Sequence, residues 1–372
     1  MSRRRLVVFV HSSNEMFGAD RVLLQVVDAL RSHTELVPEV WLPDDVSPAD
    51  DNVAARLRSQ GVAVRVLPLP ILRRRYLSPM RAPGLLWRAV TLAMRLARAR
   101  PAAVYCATSA ALLAAPAARL AGARAVILHN QEIWAGREAS VLGVLAAACT
   151  GAVSISDASA ASLRGRIRSR SVTVANAIPD RSGASPVVPH PGPLRYLVAS
   201  RWNSWKGHAT LLRAWEDAGS PGVLVIAGSP PEQGTAVDVP ALVAGLSTPQ
   251  SIEIAGQVTE ITELLDGCDF LVVPSDDPEP FGLVAIEAFS RYRAVIGSSA
   301  GGLGQIISDG DDGYLFENRS ASQLAGILRA ADRESAIRLG TAGRATYEAA
   351  YSLPRLDRAF GALWRRVERG IR

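Results

Sequence analysis

Two glutamates with seven residues between them, Glu279 and Glu287, flank a Phe-Gly pair in the second half of the chain. Glu279 lies in a loop rich in proline and aspartate, and Glu287 lies where apolar residues recur at helical spacing. The start of a helix has free N–H groups and partial positive charge, which favour an anion such as phosphate. Carboxylates on both sides of that end suit a ligand with hydroxyl groups on both sides of a phosphate, as in a nucleotide sugar.

A second candidate segment contains the only lysine among the 41 basic residues. Lys206 follows Arg201 in a stretch that comes after a predicted strand and before a predicted helix. Because the chain otherwise prefers arginine, this position indicates a need for a compact ammonium group. Arg201 and Lys206 together are predicted to neutralise a diphosphate leaving group. Two solvated loop cations are the alternative.

Two more candidates lie in the first half of the chain. Gly18, at the start of the first predicted helix, would let backbone N–H groups approach a phosphate, and Asp20 is interpreted as a helix cap. His129 follows the predicted strand Ala125–Leu128, so we expect it in a loop at the edge of a cleft. A buried structural histidine is the alternative for His129.

Two strands of the second half are predicted to end in glycine turns. Gly228 closes one of them, and Gly256-Gln257-Val258 closes another. Each turn is expected to place backbone groups near a nucleotide base or phosphate, and ordinary turn chemistry is the alternative.

Positive charge is concentrated in one part of the chain. Residues 52–131 contain thirteen arginines and no aspartate or glutamate, although the net charge of the chain is only +6. Such a block projects positive potential toward an anionic partner. We expect it to contact an anionic membrane surface or a phosphorylated lipid acceptor, through Arg73, Arg74, Arg75, Arg88 and Arg95. A solvated polar helix face is the alternative, and no nucleic-acid partner is expected.

Composition argues against several classes of protein. Cys106, Cys149 and Cys268 form no C-x-x-C pair, so neither a disulfide framework nor a zinc site is predicted. We expect no metal or other cofactor, and a cytoplasmic location with contact to the inner membrane face. The apolar run Leu6–Val10 after the basic start is too short for a secretion signal and predicts a buried strand.

Short β-branched runs alternate with amphipathic stretches, which predicts parallel sheets covered by helices on both faces. The predicted strands are Leu6–Val10, Val37–Leu42, Val62–Leu67, Ala103–Ala107, Ala125–Leu128, Ala152–Ser156, Val172–Ala175, Leu194–Ser200, Gly222–Ala227, Ile252–Ala255, Phe270–Pro274 and Ala294–Gly297. The main predicted helices are Asp20–Arg31, Gly84–Arg100, Ala209–Trp215 and Pro354–Arg369.

A proline-rich segment separates the two halves. Five prolines fall between Pro179 and Pro193, a composition that breaks both helix and strand, so we predict a linker at residues 181–193. The predicted fold class is α/β, with two doubly wound, Rossmann-like domains that face each other across a cleft. They comprise residues 1–180 and 194–353, and residues 354–372 form a final amphipathic helix.

With these residues in hand, the chain resembles the glycosyltransferases of family 4, which have the GT-B fold. The resemblance is strongest over Leu194–Tyr314, where the motifs fall in the family's order, and weaker in the first half. Its residues are Arg201, Lys206-Gly207, Gly228, Gly256-Gln257-Val258, the Glu279 to Glu287 segment, Phe17–Arg21, His129 and Ser154–Ser156.

The resemblance implies a role for each candidate residue. The reaction at the donor sugar would involve Glu279 and His129, and the sugar would also be contacted by Phe281, Gly282 and Leu283. The diphosphate would be held by Arg201, Lys206 and Gly18. The nucleotide would be bound by Glu287, Val284, Val258 and Gly228. It further implies metal-independent transfer with retention of configuration, in which the leaving phosphate accepts the acceptor's proton. The final helix would cross back to the first domain, which would bind the acceptor.

The sequence departs from the family's pattern at three positions. Gly18-Ala19 stands where Gly-Gly is frequent, Asn176-Ala177 stands where Asn-Gly is usual, and Ser229 occupies a place often held by aspartate. The first change affects a backbone contact to phosphate.

The expected function is transfer of a hexosyl group from a UDP, GDP or dTDP sugar to a sugar, lipid-linked or natural-product acceptor, in surface polysaccharide or glycolipid assembly. A sugar-nucleotide epimerase of the same fold is an alternative, but it would need carboxylates from the first domain, where residues 52–131 have none. A nicotinamide dehydrogenase is disfavoured because no G-x-G-x-x-G follows the first strand. A non-catalytic nucleotide-sugar-binding module is a third alternative.

Overall fold

The chain forms two compact units in the computed structural model, which describes residues 5–16, 18–45, 51–73, 82–181, 183–189, 191–231 and 235–371. The first unit comprises Met1–Asn176 and Pro354–Arg372, and the second comprises Ala177–Leu353. Residues 181–193, the predicted linker, belong to the second unit, and the final helix belongs to the first.

The described residues of the first unit build a seven-stranded sheet in the order β3-β2-β1-β4-β5-β6-β7. Its strands are β1 (Leu6–Val10), β2 (Val37–Pro43), β3 (Ala63–Leu67), β4 (Ala103–Cys106), β5 (Ala125–Asn130), β6 (Gly151–Ser154) and β7 (Ser171–Thr173). All neighbouring strands are parallel. The strand order reverses between β1 and β4, the point at which doubly wound sheets bind their ligands.

The described residues of the second unit build a six-stranded parallel sheet in the order β10-β9-β8-β11-β12-β13. Its strands are β8 (Leu194–Ala199), β9 (Gly222–Ala227), β10 (Ile252–Gly256), β11 (Phe270–Val273), β12 (Ala294–Ser298) and β13 (Gly313–Phe316). The strand order here reverses between β8 and β11.

Helices connect the strands in both units. They are α1 (Gly18–His33), α2 (Val53–Ser59), α3 (Ala82–Ala99), α4 (Ala114–Leu120), α5 (Gly136–Ala146), α6 (Asp157–Ser162), α7 (Arg166–Ser169), α8 (His208–Asp217), α9 (Val239–Ala244), α10 (Thr262–Asp266), α11 (Leu283–Ser290), α12 (Leu303–Ile306), α13 (Ala321–Ala330), α14 (Arg333–Thr346) and α15 (Leu353–Ile371). None of these described helices has the length and apolar content that crossing a bilayer requires.

The C-terminal helix α15 packs into the first unit through a buried tryptophan. The Trp364 ring lies 5.6 Å from the ring of Phe9 and 5.4 Å from that of Tyr105, and its Nε1 donates to the Val26 carbonyl at 3.2 Å. The amphipathic pattern of this helix therefore serves to cover the sheet of the first unit.

Two buried arginines of the second unit hold the backbone at Arg181, Gly183 and Ser185. Arg291 donates to the carbonyls of Arg181 and Gly183, and Arg293 donates to that of Ser185, at 2.9–3.2 Å. The two ends of the second unit are neighbours, because residues 178 and 352 form a parallel bridge.

Candidate active site

The basic and acidic segments lie on neighbouring loops at the switch point of the second sheet. The basic loop, residues 200–207, follows β8. The acidic loop, residues 274–282, follows β11, and these two strands are paired. Gly228 follows β9, the other neighbour of β8. The carboxyl ends of parallel strands meet at one edge of the sheet, so the three loops lie side by side.

Lys206 and Glu279 form a direct ion pair. The Lys206 Nζ atom lies 2.9 Å from Oε2 and 3.1 Å from Oε1 of Glu279, and Ser275 Oγ donates to Oε2 at 2.8 Å. The two charged side chains are 19% and 11% exposed. The ammonium also lies 4.1 Å from the centre of the Trp205 ring, which adds a cation–π contact. The structure thus brings these two candidates together in one partly buried site.

Gly207 explains why a glycine follows the lysine. Its φ is +74°, and a Cβ at this position would lie only 1.8 Å from the Pro274 carbonyl oxygen. The loop after β8 therefore rests directly on the loop after β11. Thr210 Oγ1 donates to Asp276 Oδ1 at 2.8 Å, and the Asp276 amide donates to the Trp205 carbonyl at 2.8 Å. These contacts fix Lys206 relative to Glu279.

The adjacent glycines Gly301 and Gly302, which were not among the predicted site residues, hold the backbone of Glu279. The Gly302 amide donates to the Glu279 carbonyl at 2.6 Å, and a Cβ on Gly301 would lie 2.2 Å from that oxygen. Asn318 adds a further link, because its Nδ2 donates to the Ser275 carbonyl at 2.8 Å. A Gly-Gly pair after a predicted strand was the available signal, but only the structure shows what it touches.

Helix α11 begins immediately after the acidic loop. Gly282 caps it with a φ of +107°, and the Phe281 ring is buried against Tyr351, 6.0 Å away. Only backbone groups of Phe281 can therefore face a ligand. Leu283 and Val284 form the first turn and are half-buried, and the N–H groups of a first turn have no acceptor within the helix.

Glu287 lies one turn into α11 and is half-buried. Its charge acts on Arg181: a hydrogen bond to Glu260 chiefly raises the pKa of that guanidinium, and the Glu287 carboxylate raises it further. Glu287 therefore lies near the Arg181 guanidinium.

The remaining candidates of the second unit occupy the neighbouring loops. Arg201 is exposed two residues after β8, and Val258 is half-buried two residues after β10. Gly228 has a φ of +137°, and a Cβ there would lie 2.0 Å from the Ser200 carbonyl oxygen. The close approach of Gly228 supports the loop that carries Arg201.

His129 lies inside a strand, so its predicted place in a loop is wrong. β5 continues to Asn130 because His129 and Asn130 pair with β6. The side chain is 1% exposed and packs on the rings of Tyr105 and Phe360 at 5.7 and 5.8 Å. Burial lowers the pKa of His129 to about 3, and the ring is therefore neutral at physiological pH. Its role at the donor sugar stays a prediction.

Gly18 begins α1 at the switch point of the first sheet. Asp20 lies within the first turn of α1. Its Oδ1 lies 2.7 Å from His11 Nε2, and both side chains are buried. This pair ties the start of α1 to the end of β1.

Two of the five arginines predicted to contact a membrane are engaged within the first unit. Arg88 Nη1 lies 3.0 Å from Asp44 Oδ1, and Arg73 Nη2 donates to the Ser12 carbonyl at 2.7 Å. Arg95 is half-buried on α3. Arg74 and Arg75 lie outside the described residues.

Residues 186–345 match the family model "Glycosyl transferases group 1", which covers less than half of the 372 residues. The second unit carries a glycosyltransferase group 1 domain. The basic loop, the acidic loop and α11 all lie within this group 1 domain.

Solved structures similar to the chain cover nearly all of it. HepE of Anabaena in complex with UDP is 18% identical, with a TM-score of 0.77 over 96% of this chain and 98% of that one. The sucrose-phosphate synthase of Thermosynechococcus elongatus is 19% identical, with a TM-score of 0.76 over 97% and 98%. These similarities confirm the predicted fold class, two Rossmann-like parallel α/β units as in GT-B glycosyltransferases.

Curated relatives match a smaller part of the chain. The D-inositol 3-phosphate glycosyltransferase of Rhodococcus erythropolis is 31% identical over 151 residues, which is 37% of this chain and 33% of that protein. The first curated relatives are matched over only 21% and 33% of their own length.

Proposed function

We propose that this protein is a retaining, metal-independent glycosyltransferase of family 4 that transfers a hexosyl group from a nucleoside-diphosphate sugar to a hydroxyl acceptor. The observation that supports this best is the Lys206–Glu279 ion pair beside the start of α11. A cation, a carboxylate and a helix N-terminus match the phosphates and hydroxyl groups of such a donor. The group 1 domain, and the UDP and UDP-glucose complexes of HepE, support the same class of ligand.

The proposed roles follow the order of the loops. Arg201 and Lys206 hold the diphosphate, and the first-turn N–H groups of α11 bind its oxygens. Glu279 binds hydroxyl groups of the sugar, and Glu287 binds the ribose. Backbone groups near Gly228 and Val258 contact the nucleotide. Gly18 and His129 of the first unit are proposed to act at the phosphate and the sugar.

The proposed reaction exchanges one bond at the anomeric carbon. The bond from C1 to the diphosphate oxygen breaks, a bond from C1 to the acceptor oxygen forms on the same face, and the acceptor proton moves to the leaving phosphate. Negative charge develops on the diphosphate, where two fixed cations and a helix end stabilise the transition state more than the ground state. Lys206 would turn part of its hydrogen bonding from Glu279 to the diphosphate as this charge develops, since the ammonium offers only three donors.

The acceptor side is proposed to be anionic. The arginine-rich block of residues 52–131 favours a phosphorylated lipid acceptor or contact with an anionic membrane surface through Arg73, Arg74, Arg75, Arg88 and Arg95. Surface polysaccharide or glycolipid assembly at the inner membrane face fits that chemistry.

Release of free nucleoside diphosphate from UDP, GDP and dTDP sugars tests the proposal. Glu279→Gln should lose transfer yet still fold, and Lys206→Ala should weaken donor binding. Arg195→Ala and Glu253→Gln are matched controls, because these residues form a pair at 2.8 Å on β8 and β10, away from the candidate loops. Normal turnover in both site variants would show the assignment to be wrong.

The same assays separate the finer claims and the alternatives. An epimerase would convert the sugar without releasing nucleoside diphosphate, and a binding module would do neither. Activity should persist in EDTA, and the product should keep the donor's anomeric configuration by NMR.

A further inference from the structure

Helix α3 carries large apolar side chains on its outer surface. The apolar stripe consists of Leu86, Trp87, Val90 and Met94, which are 67%, 65%, 45% and 40% exposed. At about 3.6 residues per turn, these four positions fall within about 100° of arc. A different face of the helix is buried in the first unit's core, where Leu92 and Leu96 lie. The stripe is therefore not used for packing within the described part of the chain.

The neighbouring helices of the same layer also carry exposed apolar side chains. α4 packs against α3, and α5 packs against α4. Their outward side chains include Leu120, Val141 and Val144, which are 85%, 58% and 75% exposed. Soluble proteins scatter such residues singly over the surface, and their concentration in one helix layer marks an interaction surface.

Charge identifies the kind of partner. Arg98, Arg119 and Arg137 are exposed on these same helices, which carry one exposed acid, Glu138 of α5, and residues 52–131 contain no acidic residue. Two copies of the chain meeting through this layer would bring their positive charges together, which disfavours self-association. An anionic lipid surface complements both the positive charge and the apolar side chains.

We propose that α3 lies in the interface of an anionic bilayer, with the apolar stripe inserted below the headgroups and the surrounding arginines at headgroup level. This inference rests on the proposed membrane contact and identifies α3 as the helix that makes most of that contact. The contact would then depend on apolar insertion, since Arg73 and Arg88 already bind partners within the protein. It does not depend on the transfer reaction.

Vesicle sedimentation of the full chain tests the insertion. The vesicles contain phosphatidylcholine with roughly 30% phosphatidylglycerol. The variant Trp87→Ser/Val90→Ser should bind at least about tenfold more weakly than the wild type, because two large apolar groups are lost. Val188→Ser is the control, since Val188 is 70% exposed in the second unit and should not affect binding.

Tryptophan fluorescence gives an independent measurement. All seven tryptophans lie in the described ranges, and the six besides Trp87 are buried or half-buried. Lipids brominated on the acyl chain should therefore quench the wild type, and this quenching should be lost in Trp87→Phe.

Three outcomes would overturn the inference. The first is that the Trp87→Ser/Val90→Ser variant binds vesicles as well as the wild type. The second is that vesicle binding disappears entirely at high salt in both proteins, which would attribute the binding to the arginines alone. The third is that sedimentation velocity shows a wild-type dimer that the double variant cannot form, which would assign the stripe to contact with a second copy. UDP affinity should be equal in the double variant and the wild type, so loss of vesicle binding and failure of the donor site are read separately.

Discussion

The Lys206–Glu279 pair predicts that one substitution strengthens nucleotide binding while it abolishes transfer. Both carboxylate oxygens of Glu279 hold the ammonium, at 2.9 and 3.1 Å. A diphosphate must compete with them for Lys206. Glu279→Gln removes that competing charge and leaves the glycine contacts of the loop in place. We therefore expect this variant to bind UDP more tightly than the wild type.

The magnitude follows from the burial of the pair. Its side chains are 19% and 11% exposed, between the limits of a surface pair and a buried one. Exposed pairs contribute about 0–1 kcal/mol, and charged hydrogen bonds contribute about 1.5–3 kcal/mol. A value of about 1 kcal/mol is appropriate because the glutamine amide oxygen still accepts a hydrogen bond. This corresponds to roughly fivefold tighter binding of UDP.

Isothermal titration with UDP measures the effect in four proteins: wild type, Glu279→Gln, Lys206→Ala and the double variant. Lys206→Ala should bind more weakly, and the gain from Glu279→Gln should shrink in its background because the gain acts through the ammonium. Glu253→Gln, which removes an acid from an exposed pair on the same sheet, should leave UDP affinity unchanged. Weaker UDP binding by Glu279→Gln, or the same gain without the lysine, would refute the competition.

Two further predictions concern stability, measured as the free energy of unfolding in urea. Gly207→Ala should lower it by at least about 2 kcal/mol, since the new Cβ would lie 1.8 Å from the Pro274 carbonyl oxygen. Gly326→Ala is the control: Gly326 is exposed in a helix with open space around it, so the substitution should raise the free energy of unfolding by roughly 0.5–1 kcal/mol. Similar effects at both sites would contradict the packing of the loop. Acid should also weaken the fold, because burial lowers the pKa of His129 to about 3 and of His208 to about 4. Above the ordinary histidine pKa of 6.5 the free energy of unfolding does not depend on these two groups. Below it, each histidine lowers that free energy by about 1.4 kcal/mol per pH unit as the pH drops toward 4. His208→Asn should flatten that decline, and an unchanged pH profile would contradict it.

The strands could be predicted because parallel strands covered on both faces appear in sequence as short apolar runs. β1 and β9 match their predicted bounds, and the other predicted strands shift by at most two residues at either end. β13 is missed because it is short, follows an aspartate-rich turn, and has two half-buried central residues. Its place in the sheet comes from pairing with β12, which no local pattern encodes.

The site could be predicted in its residue types but not in its contacts. The ion pair joins residues 73 positions apart, so it depends on the order of β8 and β11 in the sheet. His129 was misplaced because the apolar run stops at Leu128, whereas pairing with β6 carries the strand two residues farther. Gly301 and Gly302 were missed because their importance comes only from their closeness to the Glu279 backbone.

The bridge between residues 178 and 352 has a consequence for how this protein can diversify. Residues 177–353 are one uninterrupted stretch whose two ends meet, while the first unit is completed by α15 from beyond it. Such a stretch can be exchanged as a single gene segment without breaking the sheet that receives it. Recombination at these two adjacent points would replace the whole second unit, with its candidate loops, while the first unit is inherited unchanged.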